Sequence, residues 1–487
     1  MGLHSSAIYG IKIYEKDTWK KGRSGMRKLI GNRAFYRQLF TLMLPMMVQS
    51  GITNFVNMLD NVMIGAVGTA QMTGVSIANQ LFFVMTLCIF GAVSGSGIFS
   101  AQYFGCGDYE GVRNTFRFKV LFCGGLTLIG IVIFLLFGES LLALYMRGEQ
   151  GSVDVGETMH WAKNYMYIML VGLLPFALVQ CYTGTLREGS EPALPMKAGI
   201  VAVLVNLSLN YVLIFGKLGV PALGAAGAAI ATVIARFTEL IFIIFASRDP
   251  IRFPYLRGVY RTLRVPAVLA KKFFLKSLPL VCNEVLWAGG LALVNQCYSV
   301  YGLDVMAAGN ISTTFWNLFA IAYLALGNAV GIILGKMLGA NSLQEAREAS
   351  VRMIATSFGV TVGVGVLYFI CANFIPLLYN TEPEIRSLAT ALMQIAAIAM
   401  PFEAITHATY FTLRSGGKMF VTVMFDACFM WGASVLPAFL LSRYTAIGIL
   451  PLYAIIQFVA VIKAAVGISM VRSGTWIKNL TDTEAKS

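Results

Sequence analysis

Asp60 stands 15 residues beyond Pro45 in an apolar stretch, with Asn57 and Asn61 beside it and Asn54 a further turn back. Oxygen atoms of Asp, Asn and Thr are the donors that replace the water of a small hard cation. The same carboxylate can instead carry a proton, and the spacing serves either use. Asn206 and Asn210, four apart, add two amides to one helix face.

Other charges sit at membrane depth, where an Asp, Lys or Arg costs about 2.5 to 3.5 kcal/mol to insert, so they are expected to face protein or water. Glu284 comes five residues after Pro279 and three before Trp287. That combination of negative charge and aromatic surface suits an organic cation or a gate. Glu403 and His407 form an i,i+4 pair after Pro401, placed to tune each other's protonation. Arg236 and Glu239, three apart, are expected to form a structural ion pair. Asp426 is a further acid at depth, and Lys463 is expected to snorkel toward the membrane surface.

The elements that carry these residues follow from composition. The chain is 57% hydrophobic and 12% charged, where a soluble chain would spend about a quarter of its positions on charge. Twelve apolar stretches recur, from 39–63 through 446–470, each near the roughly 20 residues a helix needs to cross the hydrocarbon. The expected fold is an all-α polytopic membrane protein of twelve transmembrane helices. Eight scattered cysteines lack ligand spacing and read as small packing residues.

The helices fall into two copies. Pro45 and Pro279, Gly97 and Gly331, Gly105 and Gly339, and Arg113 and Arg347 are each 234 residues apart. After a seven-residue loss, Thr185-Leu186-Arg187 returns as Thr412-Leu413-Arg414 at an offset of 227. Six spans per copy is an even number, so the two bundles run parallel about an axis along the membrane normal, with a cleft between them that can open to either side. The copies are not equal, since Asn295 follows Val294 where Asn61 follows Asp60.

The expected divisions are a basic N-terminal segment, 1–38; an N-lobe, 39–247; an inter-lobe linker, 248–271; a C-lobe, 272–470; and a tail, 471–487. If the N-terminus is cytoplasmic, 30 basic residues lie on the inner side and five on the outer. This positive-inside bias places both termini, the linker and the tail in the cytoplasm of a cell-membrane protein, and it explains the net charge of +14 through the lipid bilayer rather than through a nucleic acid partner. The first 38 residues lack the apolar core of a cleavable signal peptide.

Enzymatic chemistry is not expected. There are three histidines, and HExxH, CxxC and Walker sequences are absent; Gly91 to Gly97 lack the lysine of a phosphate loop. A symmetric bundle with a central cleft points to secondary transport of a small organic molecule, with no cofactor and a single chain as the functional unit.

Leu44-Pro45, Asp60-Asn61-Val62-Met63-Ile64-Gly65, Gly74-Val75-Ser76-Ile77-Ala78-Asn79-Gln80, Ala101-Gln102-Tyr103-Phe104-Gly105, Asn206-Leu207-Ser208-Leu209-Asn210 and Gly227-Ala228-Ala229-Ile230-Ala231-Thr232 occur in the expected span order. In these motifs the chain resembles the multidrug and toxic compound extrusion family over residues 35 to 472. The resemblance implies two rocking six-helix lobes that export amphipathic, often cationic compounds in exchange for Na⁺ or H⁺. It also implies that Asp60 is the functional carboxylate, that Asn206, Asn210 and Thr232 are positions of a coupling site able to take Na⁺, and that Glu284 corresponds to an acid used in some branches. Some relatives carry Asp at the Asn210 position, so the coupling ion stays open. A lipid-linked precursor flippase, an exporter of other polar metabolites and a non-transporting receptor are the alternatives.

Overall fold

The structure is a computed structural model that describes residues 29–146, 155–379 and 381–481. Most of the basic N-terminal segment and the last six residues lie outside this range. Among the described residues, twelve helices are long and apolar enough to cross a membrane: α1 Arg33–Gly65, α2 Thr69–Cys106, α3 Tyr109–Met146, α4 Val155–Glu188, α5 Ala193–Phe215, α6 Gly224–Ala246, α7 Ala267–Ser299, α8 Leu303–Gly339, α9 Leu343–Cys371, α10 Pro383–Ser415, α11 Met419–Tyr444 and α12 Ile449–Arg472. Helix is the only open form of backbone that satisfies its own polar groups in lipid, so long apolar runs fold this way throughout.

The local signals are readable. Asn32 caps α1 by accepting from the Phe35 amide at 2.8 Å, and Asp108 Oδ1 accepts from the amides of Glu110 and Gly111 at the start of α3. Pro45, Pro175, Pro279 and Pro401 lie inside α1, α4, α7 and α10, each removing one backbone donor. In α11 the residues Phe429–Val435 are wound as a π-helix ahead of Pro437. The Leu436 amide reaches the Trp431 carbonyl five residues back, a wider turn placed where Pro437 supplies no donor.

Helices α1 to α6 and α7 to α12 form two bundles. Because lipid is as apolar as the side chains, close backbone approach rather than hydrophobicity joins the central helices. The α2–α8 crossing shows it: a Cβ on Gly105 would run into the Lys336 carbonyl, and one on Gly339 into the Gln102 carbonyl. Gln102 and Lys336 are themselves repeat partners at 234, so the contact is reciprocal about the pseudo-twofold axis.

Among the described residues, lobe-to-lobe hydrogen bonds cluster at the end of the molecule where α2 and α8 finish. Lys336 Nζ donates to Ser190 Oγ at 2.5 Å. Gln102 Nε2 donates to the carbonyls of Ser415 at 2.9 Å and Lys478 at 3.2 Å, while its Oε1 accepts from the Leu480 amide at 2.7 Å. The segment after α12 is therefore packed: Trp476 is fully buried with Phe35 and Leu39 of α1 and Leu334 of α8. The connection between the lobes covers the same end, with Arg113 and Arg117 donating to the carbonyls of Pro254 and Val259 and Arg252 paired with Glu191 at 2.6 Å.

Candidate functional site

Three helices of the first bundle bring one polar chain together. Asn210 Nδ2 on α5 donates to Asp60 Oδ1 on α1 at 2.6 Å and to Asn206 Oδ1 at 3.1 Å; Asn206 Nδ2 donates to Thr232 Oγ1 on α6 at 3.3 Å. The i,i+4 spacing of the two asparagines puts both amides on the face of α5 between α1 and α6. Asn210 is fully buried, and its Oδ1 has no hydrogen-bond partner. An orphaned acceptor beside a carboxylate, an amide and a hydroxyl is a donor set for a hard cation, or for a protonated acid that donates into it.

The flanking asparagines do not join this chain. Asn57 and Asn61 are exposed and hydrogen-bond to none of the four. Tyr165 on α4 is placed near Asp60 and donates to Asn79 Oδ1 at 3.2 Å, a neighbour that spacing along one helix could not disclose.

Arg236 and Glu239 make no ion pair within hydrogen-bonding range. Instead the Arg236 guanidinium lies 4.1 Å from the centroid of the Phe176 ring, and Glu239 sits in the combined field of Arg236 and Arg187. Three residues on a helix bring side chains near each other without closing the contact, and the ring on α4 offers the guanidinium a better-packed face.

The second bundle has its own charged cluster. Asp426 on α11 accepts from Lys463 Nζ on α12 at 2.6 Å and from Asn283 Nδ2 on α7 at 2.8 Å. Lys463 thus points inward to a counter-ion rather than snorkelling, since a neutralising carboxylate within reach is worth more than a stretched path to water. Glu403 and His407 face this pair electrostatically but do not bond to each other. His407 packs on Tyr323 with ring centroids 5.0 Å apart, and its Nδ1 has no partner. Glu284 is buried against Gly91 of α2, at the seam between bundles, while Trp287 is half-buried a turn away.

Sequence reasoning missed a buried ion pair. Lys119 Nζ on α3 bonds both oxygens of Glu188 at 2.8 and 2.6 Å and Thr185 Oγ1 at 3.0 Å, with the lysine side chain fully buried. Lys119 and Lys336 are among the 30 basic residues counted to the inner side, and the structure buries both against protein partners. The available signal was Glu188, an acid directly following the repeated Thr-Leu-Arg motif.

Between the bundles runs a cleft bordered by positions that the repeat pairs: Ser94 with Asn328, Gly97 with Gly331, and Arg187 with Arg414. A duplicated helical bundle around an axial cleft, sealed at one end, is the architecture of an alternating-access membrane transporter rather than of an enzyme. The sequence model of the MatE family matches residues 45–212 and 279–440, one match in each bundle, beginning at the repeat-related Pro45 and Pro279. The chain belongs to the MatE family of multidrug efflux transporters, as a multi-pass membrane protein. It is 22% identical over 454 residues to the probable multidrug resistance protein NorM of Thermotoga maritima, covering 92% of this chain and 95% of that one. It is 25% identical over 429 residues to the probable multidrug resistance protein YoeA of Bacillus subtilis, covering 85% and 89%. A solved structure described as the outward-facing conformation of a multidrug resistance MATE family transporter of the MOP superfamily superposes with a TM-score of 0.80 at 18% identity, covering 93% of this chain and 98% of that one.

Proposed function

We propose that the protein is a secondary active antiporter that exports amphipathic, cationic organic compounds in exchange for Na⁺ or H⁺, with Asp60 as the coupling carboxylate. The observation that carries this reading is the Asp60–Asn210–Asn206–Thr232 chain with its unpartnered Asn210 oxygen. A cation or proton arriving there changes the charge between α1, α5 and α6. Coupling follows only if that change favours one lobe arrangement over the other. Asp60, Asn206, Asn210 and Thr232 would supply the oxygens for Na⁺; a proton would reside on Asp60.

Glu284 and Glu403, with His407 and the mutually neutralised Asp426–Lys463 pair beside them, would give the second bundle acidic groups for a cationic cargo or for gating. The positive-inside bias supports a cell-membrane protein with cytoplasmic termini and an inter-lobe linker at 248–271, working as a monomer of an N-lobe, 39–247, and a C-lobe, 272–470. With the linker inside, the sealed end faces the cytoplasm and the conformation is outward-facing.

Purified protein in sealed vesicles, given Na⁺ and proton gradients separately, is expected to move a fluorescent organic cation under at least one of them. Asp60→Asn is expected to abolish gradient-driven movement while inserting normally. Unchanged coupled transport in that variant would remove Asp60 from the mechanism, and cargo movement independent of either gradient would overturn antiport.

A further inference from the structure

Arg414 on α10 is 1% exposed, and its Nη1 and Nη2 make no hydrogen bond. Its guanidinium lies 5.7 and 5.4 Å from the ring centroids of Tyr410 and Phe411, and the Glu284 carboxylate on α7 sits in its field without closing an ion pair. Arg187, its repeat partner on α4, spends one nitrogen on Gln49 Oε1 at 2.7 Å, leaving a buried Nε unpartnered. Both arginines border the axial cleft. Among the described residues that line it, the acid Glu188 is already held at 2.6 Å by Lys119.

An unsatisfied buried donor is costly, and a planar guanidinium is satisfied best by two oxygens of one oxyanion. Two such groups, related by the pseudo-twofold axis, border the same cleft with guanidinium donors left unpartnered. We infer that the cleft binds the carboxylate or phosphate head of an amphiphile between Arg187 and Arg414. The cargo range of the proposed exporter then extends to anionic and zwitterionic amphiphiles; this rests on the transporter reading above only for the word cargo. The oxyanion could belong to a soluble compound or to a lipid head group.

The test is equilibrium binding to the purified full chain in a neutral detergent, with 2-naphthoate and 2-naphthyl phosphate as probes and 2-naphthyltrimethylammonium as the cationic counterpart. Both anions are expected to bind and to weaken at least tenfold in Arg414→Gln and in Arg187→Gln, with Arg414→Lys retaining more of the affinity than Arg414→Gln. Thermal melting reports which variants fold; if Arg414→Gln does not, Arg187→Gln and Arg414→Lys carry the comparison. Repeating the titration in lipid discs assigns the source. Competition by phosphatidylglycerol over phosphatidylcholine supports the site and identifies a head group as its occupant, and equal affinity in both supports it with a soluble occupant. Absence of anion binding, or affinities unchanged in folded Arg187→Gln and Arg414 variants, overturns the inference. No ion gradient enters the titration, so failed coupling at Asp60 leaves its result standing, and a failed titration leaves cation exchange standing.

Discussion

Lys463 and Asp426 show how formal charge survives inside a bundle: one 2.6 Å bond neutralises both, and Asn283 fills a further carboxylate site. Removing one partner strands the other; a fully buried pair loses about 3 to 5 kcal/mol, and this one, with both side chains 16% exposed, is expected to lose less. Lys463→Ala is therefore expected to lower the melting temperature in detergent, and Lys463→Met with Asp426→Leu to recover much of the loss. A single variant as stable as the parent would show the pair to be well hydrated. At this scale the sequence was half legible. The i,i+4 register of Asn206 and Asn210 disclosed a shared face, and Asp60 disclosed a charge, because both facts lie within one helix. Lys463 was misplaced, and the burial of Lys119 and Lys336 went unread, because charge counting gives depth along a span to within a few residues but not which side of the helix meets a neighbour.

At the scale of elements, the crossing of α2 and α8 depends on two glycines that have no room for a side chain. Gly339→Leu is expected to push the sealed end apart, lengthening a spin-label distance between the ends of α2 and α8 and lowering cargo transport several-fold; an unaltered distance would show that the helices can slide past the added bulk. The count and order of spans were legible because hydropathy reports every run long enough to cross a bilayer. Their ends were less so. The helix of span one begins at Arg33 rather than near 39, and that of span seven at Ala267 rather than near 274. Helices continue through the polar edge of the membrane, where hydropathy has already fallen but a cap such as Asn32 has not yet been reached.

The whole molecule is held shut at one end by a strap running from Trp476 to Leu480. Gln102 of the first bundle binds it with both amide atoms, and Lys272 Nζ donates to the Leu480 carbonyl at 2.9 Å. Opening that end requires Gln102 to let go. Gln102→Ala is expected to speed hydrogen exchange of the Leu480 amide at least tenfold and to raise the accessibility of the sealed end; unchanged exchange would mean that burial of Trp476 alone fixes the strap. The twofold organisation was legible through the 234-residue offset, which survives where helices touch each other. The strap was not, since a short polar tail carries no periodicity and gains its place from contacts made by another part of the chain.

The reciprocal seating of Gly105 on the Lys336 carbonyl and Gly339 on that of Gln102 is the self-complementary contact two identical subunits make across a dyad. Geometrically, the chain is a homodimer whose protomers share one polypeptide. Tethering gives a freedom that identical protomers lack: an acid at 60 can have an apolar residue, Val294, at the equivalent position of the sister copy, while Arg187 keeps its twin at 414. Ion sensing can thus be lodged on one side of the dyad and the grip on an oxyanion shared by both.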